Sequence, residues 1–265
     1  MCPVCGNRKV KTQIEGYFKC ANCLSLYSKR VPTELEIQKR IDYYGKPAAN
    51  SSIDWKLIKV HKNRVIYLSR FLSKNKSLLD VGCGRGTFLK CAQDAGFKIW
   101  GVDKSKKFIE FVKKMGVEAF NSLSEVKDES FDCVTSFDVI EHTFNPKTFI
   151  LEIKRKLKKR GILMMTTPNS EGISAKILKG RWWVLNPEDH YVIFNPSSLQ
   201  LLLKNNGFKI IETKTDTLTQ WFIANKNLME RMTNKIIYLF FKPFLKYLFS
   251  ETLGDNIQIV AVKQK

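Results

Sequence analysis

Leu78-Leu79-Asp80-Val81-Gly82-Cys83-Gly84-Arg85-Gly86 decides how the rest of this chain is read, with Asp103 seventeen residues past the last glycine. An apolar run ends in alternating glycines and a helix-like pattern follows, so the spacing predicts a buried strand turning sharply into a helix. Glycines at such a turn take positive φ without steric cost and let the backbone approach a ligand closely. Asp103 closes the next apolar run, Lys98 to Val102, where a carboxylate can hold both hydroxyls of a ribose. Together these features predict a nucleoside-containing cofactor.

The spacing narrows the choice. A pyrophosphate loop reads G-x-G-x-x-G and gains little from a carboxylate beside it, because phosphate is already anionic. Here the pattern is G-x-G-x-G, and Asp80 stands two residues before its first glycine. An acid there suits a ligand with a positive amino group, such as the methionine half of S-adenosylmethionine. Asp80-x-Gly82-x-Gly84-x-Gly86, Gly101-Val102-Asp103 and Phe131-Asp132-Cys133-Val134 resemble the successive signature segments of class I S-adenosylmethionine-dependent methyltransferases. The resemblance is strong from Leu78 to Asn169, with looser support to Phe208 and over the last strand. It implies an α/β fold with a Rossmann-like, seven-stranded, mostly parallel sheet and helices on both faces. It also implies cofactor contacts from Asp80, Gly82, Cys83, Gly84, Gly86, Asp103 and Lys104, from Asn121 and Leu123 at the adenine, and from Phe137 and Asp138.

The periodicity outside these motifs agrees. Strand-like runs at Ser77–Val81, Lys98–Asp103, Val117–Phe120, Cys133–Phe137 and Ile162–Thr166 alternate with helical ones. The helices are expected over Thr87–Ala95, stopped by Gly96, over Lys106–Lys114, and over Pro146–Lys158, stopped by Gly161. Such alternation implies right-handed crossovers and a parallel sheet, with ligands outside the carboxyl ends of the strands near Ser77–Val81. A helix over Ile53–Leu72 precedes the first of these strands and is expected to cover the cofactor mouth. A helix at Ser197–Asn206, a strand at Lys209–Lys214 and a last strand at Asn256–Val262 complete the domain, read as 53–265.

The length of 265 residues suits one medium α/β domain plus a small module. Against 25 Asp+Glu stand 45 Lys+Arg, a formal +20. So basic a surface favours anionic partners, namely nucleic acid, anionic lipid or phosphorylated carriers, unless it only reflects a Lys-rich genome. Four of the seven cysteines, Cys2, Cys5, Cys20 and Cys23, form C-x2-C-x14-C-x2-C. The chain opens on Met1-Cys2-Pro3 with no signal peptide before them, so a reducing cytoplasm is the expected setting. Two CxxC pairs there read as thiolate ligands of one structural zinc in a ribbon over residues 1–30; redox pairs are the alternative. Cys83, Cys91 and Cys133 read as small buried apolar residues. Residues 31–52 read as a connector.

The acceptor side is less explicit. Phe137-Asp138-Val139-Ile140-Glu141-His142 follows the fourth strand, and its Glu-His pair resembles the segment in ubiquinone-type and small-molecule O-methyltransferases. His142 is one candidate base and His190, in a substrate-side loop at 169–196, is the second; each could instead order its loop. Trp182 and Trp183 read either as an aromatic lid or as core anchors. Residues 216–254 read as a helical insertion, in which Ile236–Phe249 holds eleven apolar or aromatic positions. Fourteen residues are too few to span a bilayer, which needs about 20. They fit a cap over the substrate pocket, a peripheral membrane contact or a dimer contact.

These observations favour methyl transfer to a small-molecule, glycan or lipid-linked acceptor, most simply at a hydroxyl. An RNA methyltransferase gripping phosphates with its ribbon and basic surface is the second reading. Phe137-Asp138-Val139-Ile140, in place of an Asn-Pro-Pro-Tyr-like tetrad, disfavours amino methylation of adenine. A catalytically inactive zinc-ribbon interaction protein is the third reading, and intact Asp80, glycines and Asp103 oppose it.

Overall fold

Residues 1–30 are too few to build a hydrophobic core alone. The computed structural model, which describes residues 1–14, 16–44, 55–216 and 253–264, shows three short strands there. These are β1 (Val10–Ile14), β2 (Tyr17–Cys20) and β3 (Leu26–Ser28), paired antiparallel in that order. The sheet gains its fourth strand from far along the chain. Leu26 pairs with Ile193 and Tyr27 with Val192 of β9 (Val192–Ile193), so the cysteine module shares a sheet with the substrate-side loop.

Within the expected connector the chain forms α1 (Glu34–Tyr44). Thr33 and Glu36 cap it reciprocally: the Thr33 N–H donates to Glu36 Oε2 at 2.8 Å, and the Glu36 N–H to Thr33 Oγ1 at 3.3 Å. α2 (Trp55–Leu68) lies inside the span predicted as helix.

The main sheet follows the predicted alternation. Its elements are β4 (Ser77–Val81), α3 (Thr87–Asp94), β5 (Lys98–Val102), α4 (Lys106–Lys114), β6 (Ala119–Phe120), β7 (Phe131–Phe137), α5 (Pro146–Lys156) and β8 (Leu157–Pro168). After α6 (Ile173–Leu178) and β9 come α7 (Pro196–Asn205), β10 (Phe208–Asp216) and β11 (Asn256–Lys263). The seven strands stand in the order β10-β11-β8-β7-β4-β5-β6, and β11 alone runs antiparallel to its neighbours. Leu78, Leu79, Cys133, Val134, Leu163, Met164, Ile259 and Val260 are fully buried, as expected for central strands covered on both faces. Cys91 and Cys133 are buried among apolar neighbours.

Several boundaries shift by a few residues from the sequence reading, and one does so for a visible reason. The helix from Pro146 does not reach Lys158 or stop at Gly161; it ends at Lys156, and β8 begins at Leu157. Leu157 is fully buried and pairs with Phe131, while the Lys156 ammonium is held by Val126 O at 2.7 Å and Asp128 Oδ1 at 2.6 Å. Those contacts unwind the helix early, and the basic run that follows is strand, with Arg160 at φ 61°.

At the edge of the sheet where the parallel strands end and antiparallel β11 begins, the residues change character. Thr135, Ser136, Thr166, Thr167, Asn256 and Gln258 are all buried. Of the insertion, only Asp216, Leu253 and Gly254 fall among the described residues, so 236–249 and any membrane or dimer contact by it lie outside them. Among the described residues no helix is long and apolar enough to cross a membrane.

Asn195 joins the two sheets. Its Oδ1 accepts from the Ser198 N–H at 2.8 Å to cap α7, and its Nδ2 donates to Cys23 O at 3.0 Å. Asn195→Ala removes a cap worth about 1 kcal/mol and leaves a buried carbonyl unpaired at a further ~1 kcal/mol or more. Urea denaturation should therefore show about 2 kcal/mol lost with an unchanged slope.

Candidate active site

The glycine loop leaves β4 with Gly82, Gly84 and Gly86 at φ 80°, 52° and 75°. A Cβ on Gly82 would stand 2.3 Å from Val139 Cγ2, whereas one on Gly84 would meet nothing within 4 Å. Gly84 therefore borders an open crevice that a side chain would fill. The Gly84 and Ser105 N–H groups each donate at 2.9 Å to the Asp103 carboxylate, to Oδ2 and Oδ1 respectively. Each oxygen keeps a second lone pair for a ribose hydroxyl. Asn121 Nδ2 donates to Asp103 O at 3.3 Å, buried Leu123 opens a 3-10 turn beside it, and Lys104 is exposed. Asp80 lies beneath the loop, accepting from Thr135 Oγ1 at 2.7 Å; burial pushes its carboxyl up to about 7. A ligand ammonium is the group that would restore its charge. Cys83 is placed differently from its neighbours. Its N–H donates to Val102 O, and its Sγ sits 2.9 Å from where a Gly101 Cβ would be, so its side chain turns into the core.

At the end of β7, Asp138 takes φ 58°, a left-handed conformation that Asp tolerates better than most residues. Its Oδ1 accepts from Thr166 Oγ1 at 3.0 Å and from Asn256 Nδ2 at 3.1 Å. Its Oδ2 faces Arg64 Nη2 at 3.4 Å, and the buried Arg64 guanidinium lies 4.3 Å from the Phe137 ring centre. His61, on the same helix, has ring centres 5.7 Å from Phe88 and 6.4 Å from Phe137. Its buried Nδ1 has no partner, and burial, then the Arg64 charge, push the imidazole down to about 4. Arg64 and His61 escaped the sequence reading because polar residues on an amphipathic helix look like its solvated face.

The 3-10 turn Ile140–His142 comes next. Glu141 is buried, accepts from Thr167 Oγ1 at 2.9 Å, and is raised by burial to about 7. His142 Nδ1 lies 2.9 Å from Asp189 O and 3.2 Å from Asp189 Oδ1. Burial opposes its charge, but the Asp189 hydrogen bond and the Glu141 and Asp189 carboxylates outweigh it and lift it to about 9. His190 lies beside it, ring centres 4.8 Å apart, with Nδ1 2.7 Å from Val184 O. A carbonyl only accepts, so that Nδ1 carries the proton and Nε2 the lone pair. Burial, then the His142 charge, lower the His190 imidazole. The structure thus brings both predicted histidines together and splits their protonation. The donor atoms of Glu141, His142 and His190 lie within 4.8 Å of one another, a set open to a divalent ion only once His142 gives up its proton.

The aromatic pair divides. Trp182 packs with Tyr17, Leu26, Val184 and Ile193 in the core, while Trp183 is exposed with its ring 6.3 Å from His190. The four cysteine sulfurs lie within 4.8 Å of one another, with Cys2–Cys23 at 3.6 Å and Cys5–Cys20 at 3.5 Å. A zinc tetrahedron with bonds near 2.3 Å has edges of about 3.8 Å, so these thiols fit one.

A glycine crevice at the carboxyl edge of such a sheet, with an acid closing the second strand, defines a class I S-adenosylmethionine-dependent methyltransferase. Residues 58–213 match the family described as "Methyltransferase domain", and the chain belongs to that family. Ubiquinone biosynthesis O-methyltransferase of Rickettsia bellii is 26% identical over 179 residues, covering 58% of this chain and 74% of that protein. Its counterpart in Rickettsia canadensis is 29% identical over 152 residues, covering 52% and 64%. Among solved structures, a SAM-dependent methyltransferase from Archaeoglobus fulgidus matches with a TM-score of 0.56 at 20% identity, covering 78% of this chain and 94% of that one. Haemonchus contortus phosphoethanolamine N-methyltransferase 2 in complex with S-adenosyl-L-methionine matches at 0.54 and 20%, covering 91% and 62%. At these identities the structures show the shared fold. The protein is a methyltransferase enzyme with S-adenosylmethionine as cofactor, which removes the inactive interaction protein from consideration.

His142 makes stability depend on pH. Its imidazole sits at about 9 when folded against an ordinary 6.5, so its contribution is complete below about pH 6.5 and is lost as pH climbs to about 9. Glu141, Asp189 and, through Asp189, Arg40 at 3.3 Å are the charged groups around it, with the neutral His190 imidazole beside them. Thermal midpoints of the native chain should fall across that window, and less steeply in His142→Gln; parallel curves would show that the charge is not carried there.

Proposed function

We propose that this enzyme methylates a hydroxyl on a small-molecule, glycan or lipid-linked acceptor, with His190 as general base. The carrying observation is the paired imidazoles after β7, one held charged and one neutral with its Nε2 lone pair free of the backbone bond. When bound, S-adenosylmethionine supplies an electrophilic methyl on a sulfonium whose leaving group is neutral. The chain has little to do at sulfur and much to do in positioning. Asp80 and Gly82-Cys83-Gly84 hold the methionine half, Asp103 the ribose, and Asn121 and Leu123 the adenine. His190 Nε2 takes the proton from the attacking hydroxyl, and the adjacent His142 cation favours the oxygen as it gains negative charge. An amine acceptor would need no such base, and the names of the curated relatives, O-methyltransferases, point the same way. Cys2, Cys5, Cys20 and Cys23 hold a structural zinc in this reading.

His190→Gln should lower methyl incorporation by roughly 10²–10⁴ while calorimetric affinity for S-adenosylhomocysteine stays within about twofold. Unchanged turnover would take this histidine out of the chemistry. The acceptor class is tested with radiolabelled methyl donor and fractionated cell extract. An O-methyl ether among the hydrolysed products supports the reading, and an N-methyl product overturns it. The formal charge of +20 sustains RNA as the second acceptor class; label appearing in nuclease-sensitive material would establish it instead.

A further inference from the structure

One face of the main sheet turns from apolar to polar within a few residues. Val260, Ile162 and Met164 pack in the core under α2 and α3. Two residues on along each strand the same face carries Gln258, Asn256 and Thr166, since side chains alternate along a strand. Lys214 and Asp216 of β10 join them, and α2 lays Arg64 and Tyr67 over the end, enclosing a cleft of about 140 Å³.

Five buried side-chain polar atoms among the described residues lack a hydrogen bond of normal length, and three belong to this cleft: Tyr67 Oη, Asn256 Oδ1 and Gln258 Nε2; the Tyr67 hydroxyl has only the nearby Glu212 and Gln258 side chains for company. All three residues are more than nine-tenths buried. The Asn256 orientation is set by its Nδ2, which donates to Asp138 Oδ1 at 3.1 Å, so Oδ1 turns away from that carboxylate. Buried polar groups are almost always paired, and an unmet atom on each of two amides of an interior strand destabilises the fold unless a ligand meets them.

The unmet valences describe that ligand. Asn256 Oδ1 needs a donor, Gln258 Nε2 needs an acceptor, and the Tyr67 hydroxyl can serve either way. A carboxylate or phosphate only accepts and an ammonium only donates, whereas a hydroxyl does both. Charge adds to this. Arg64 faces Asp138, and Lys214, 3.5 Å above the Tyr67 ring, is offset by Asp216 on its own strand. Two cations against two carboxylates select for neither sign. Residues 256 and 258 stand about 7 Å apart on an extended strand, so their amides address separate hydroxyls.

We propose that this cleft binds an uncharged polyhydroxylated ring of the acceptor, of the sugar type, and turns one of its hydroxyls past Asp138 toward the glycine crevice. Asp138 walls both spaces, through Arg64, Thr166 and Asn256 on one side and the turn after β7 on the other. The inference deepens the hydroxyl-methylation reading and rests on it.

The test titrates the full chain, loaded with S-adenosylhomocysteine, with methyl α-D-glucopyranoside, methyl α-D-mannopyranoside and methyl α-D-galactopyranoside, read by saturation-transfer NMR with inorganic phosphate as competitor. At least one glycoside should give a signal that phosphate does not displace. Gln258→Leu should cut that signal at least fivefold, with S-adenosylhomocysteine affinity unchanged and a thermal midpoint equal or higher, because leucine removes an unpaired amide. No signal from any glycoside, displacement by phosphate, or a Gln258→Leu signal equal to the native one would each overturn the proposal. An N-methylated product with the glycoside signal intact would instead remove the hydroxyl chemistry and leave the cleft standing.

Discussion

Gly82 has no room for a side chain, because Val139 Cγ2 stands 2.3 Å from where its Cβ would be. That approach presses the loop after β4 against the turn after β7. Gly101 repeats it one strand over, with Cys83 Sγ 2.9 Å from its own absent Cβ. Between them the two contacts set how low the glycine loop sits on the sheet, and hence the crevice beside Gly84. Asp80, Asp103, Asp138 and His142 all hang from segments locked by these contacts. Close packing of this kind transmits small displacements rather than absorbing them.

The second imidazole is held from elsewhere. Tyr17 donates to His190 O at 2.8 Å, the Ser28 N–H to Tyr191 O at 2.8 Å, and His190 follows directly on Asp189, which grips His142. The cysteine module is therefore packed into the loop that carries His190 and is no appendage. Whatever stiffens its knuckles also fixes the distance between the two imidazoles, and hence the split in their protonation.

The local signals were legible in the sequence and the distant ones were not. Alternating glycines, Asp103 and the apolar runs report nearest-neighbour geometry, so β4, β5 and β7 and their helices fall where periodicity puts them. α1 has a capping box in Thr33-x-x-Glu36, but the polar run around it hides any helical periodicity. β9 is two residues long and exists because Leu26 and Tyr27 pair with it, a relation no window of sequence contains. Arg64 and Tyr67 lie on α2 and Asn256 and Gln258 on β11, far apart in the chain, and only folding shows that their polar ends face one cleft. His142 and His190 were identifiable as candidates, but their opposite charge states depend on burial and on the Asp189 and Glu141 carboxylates reaching His142, which the fold alone arranges.

The pairing of β3 with β9 also sets an order of events. Tyr17 and His190 are 173 residues apart. At ordinary synthesis rates the partner strand emerges on the order of ten to thirty seconds after the cysteines. Throughout that interval the edge of β3 is an open template and the four thiols stand without the strand that buries them. A nascent chain in this condition has to capture a metal, recruit a chaperone or expose a sticky edge. The closure of this small sheet thus waits until β9 has been made, long after its first three strands.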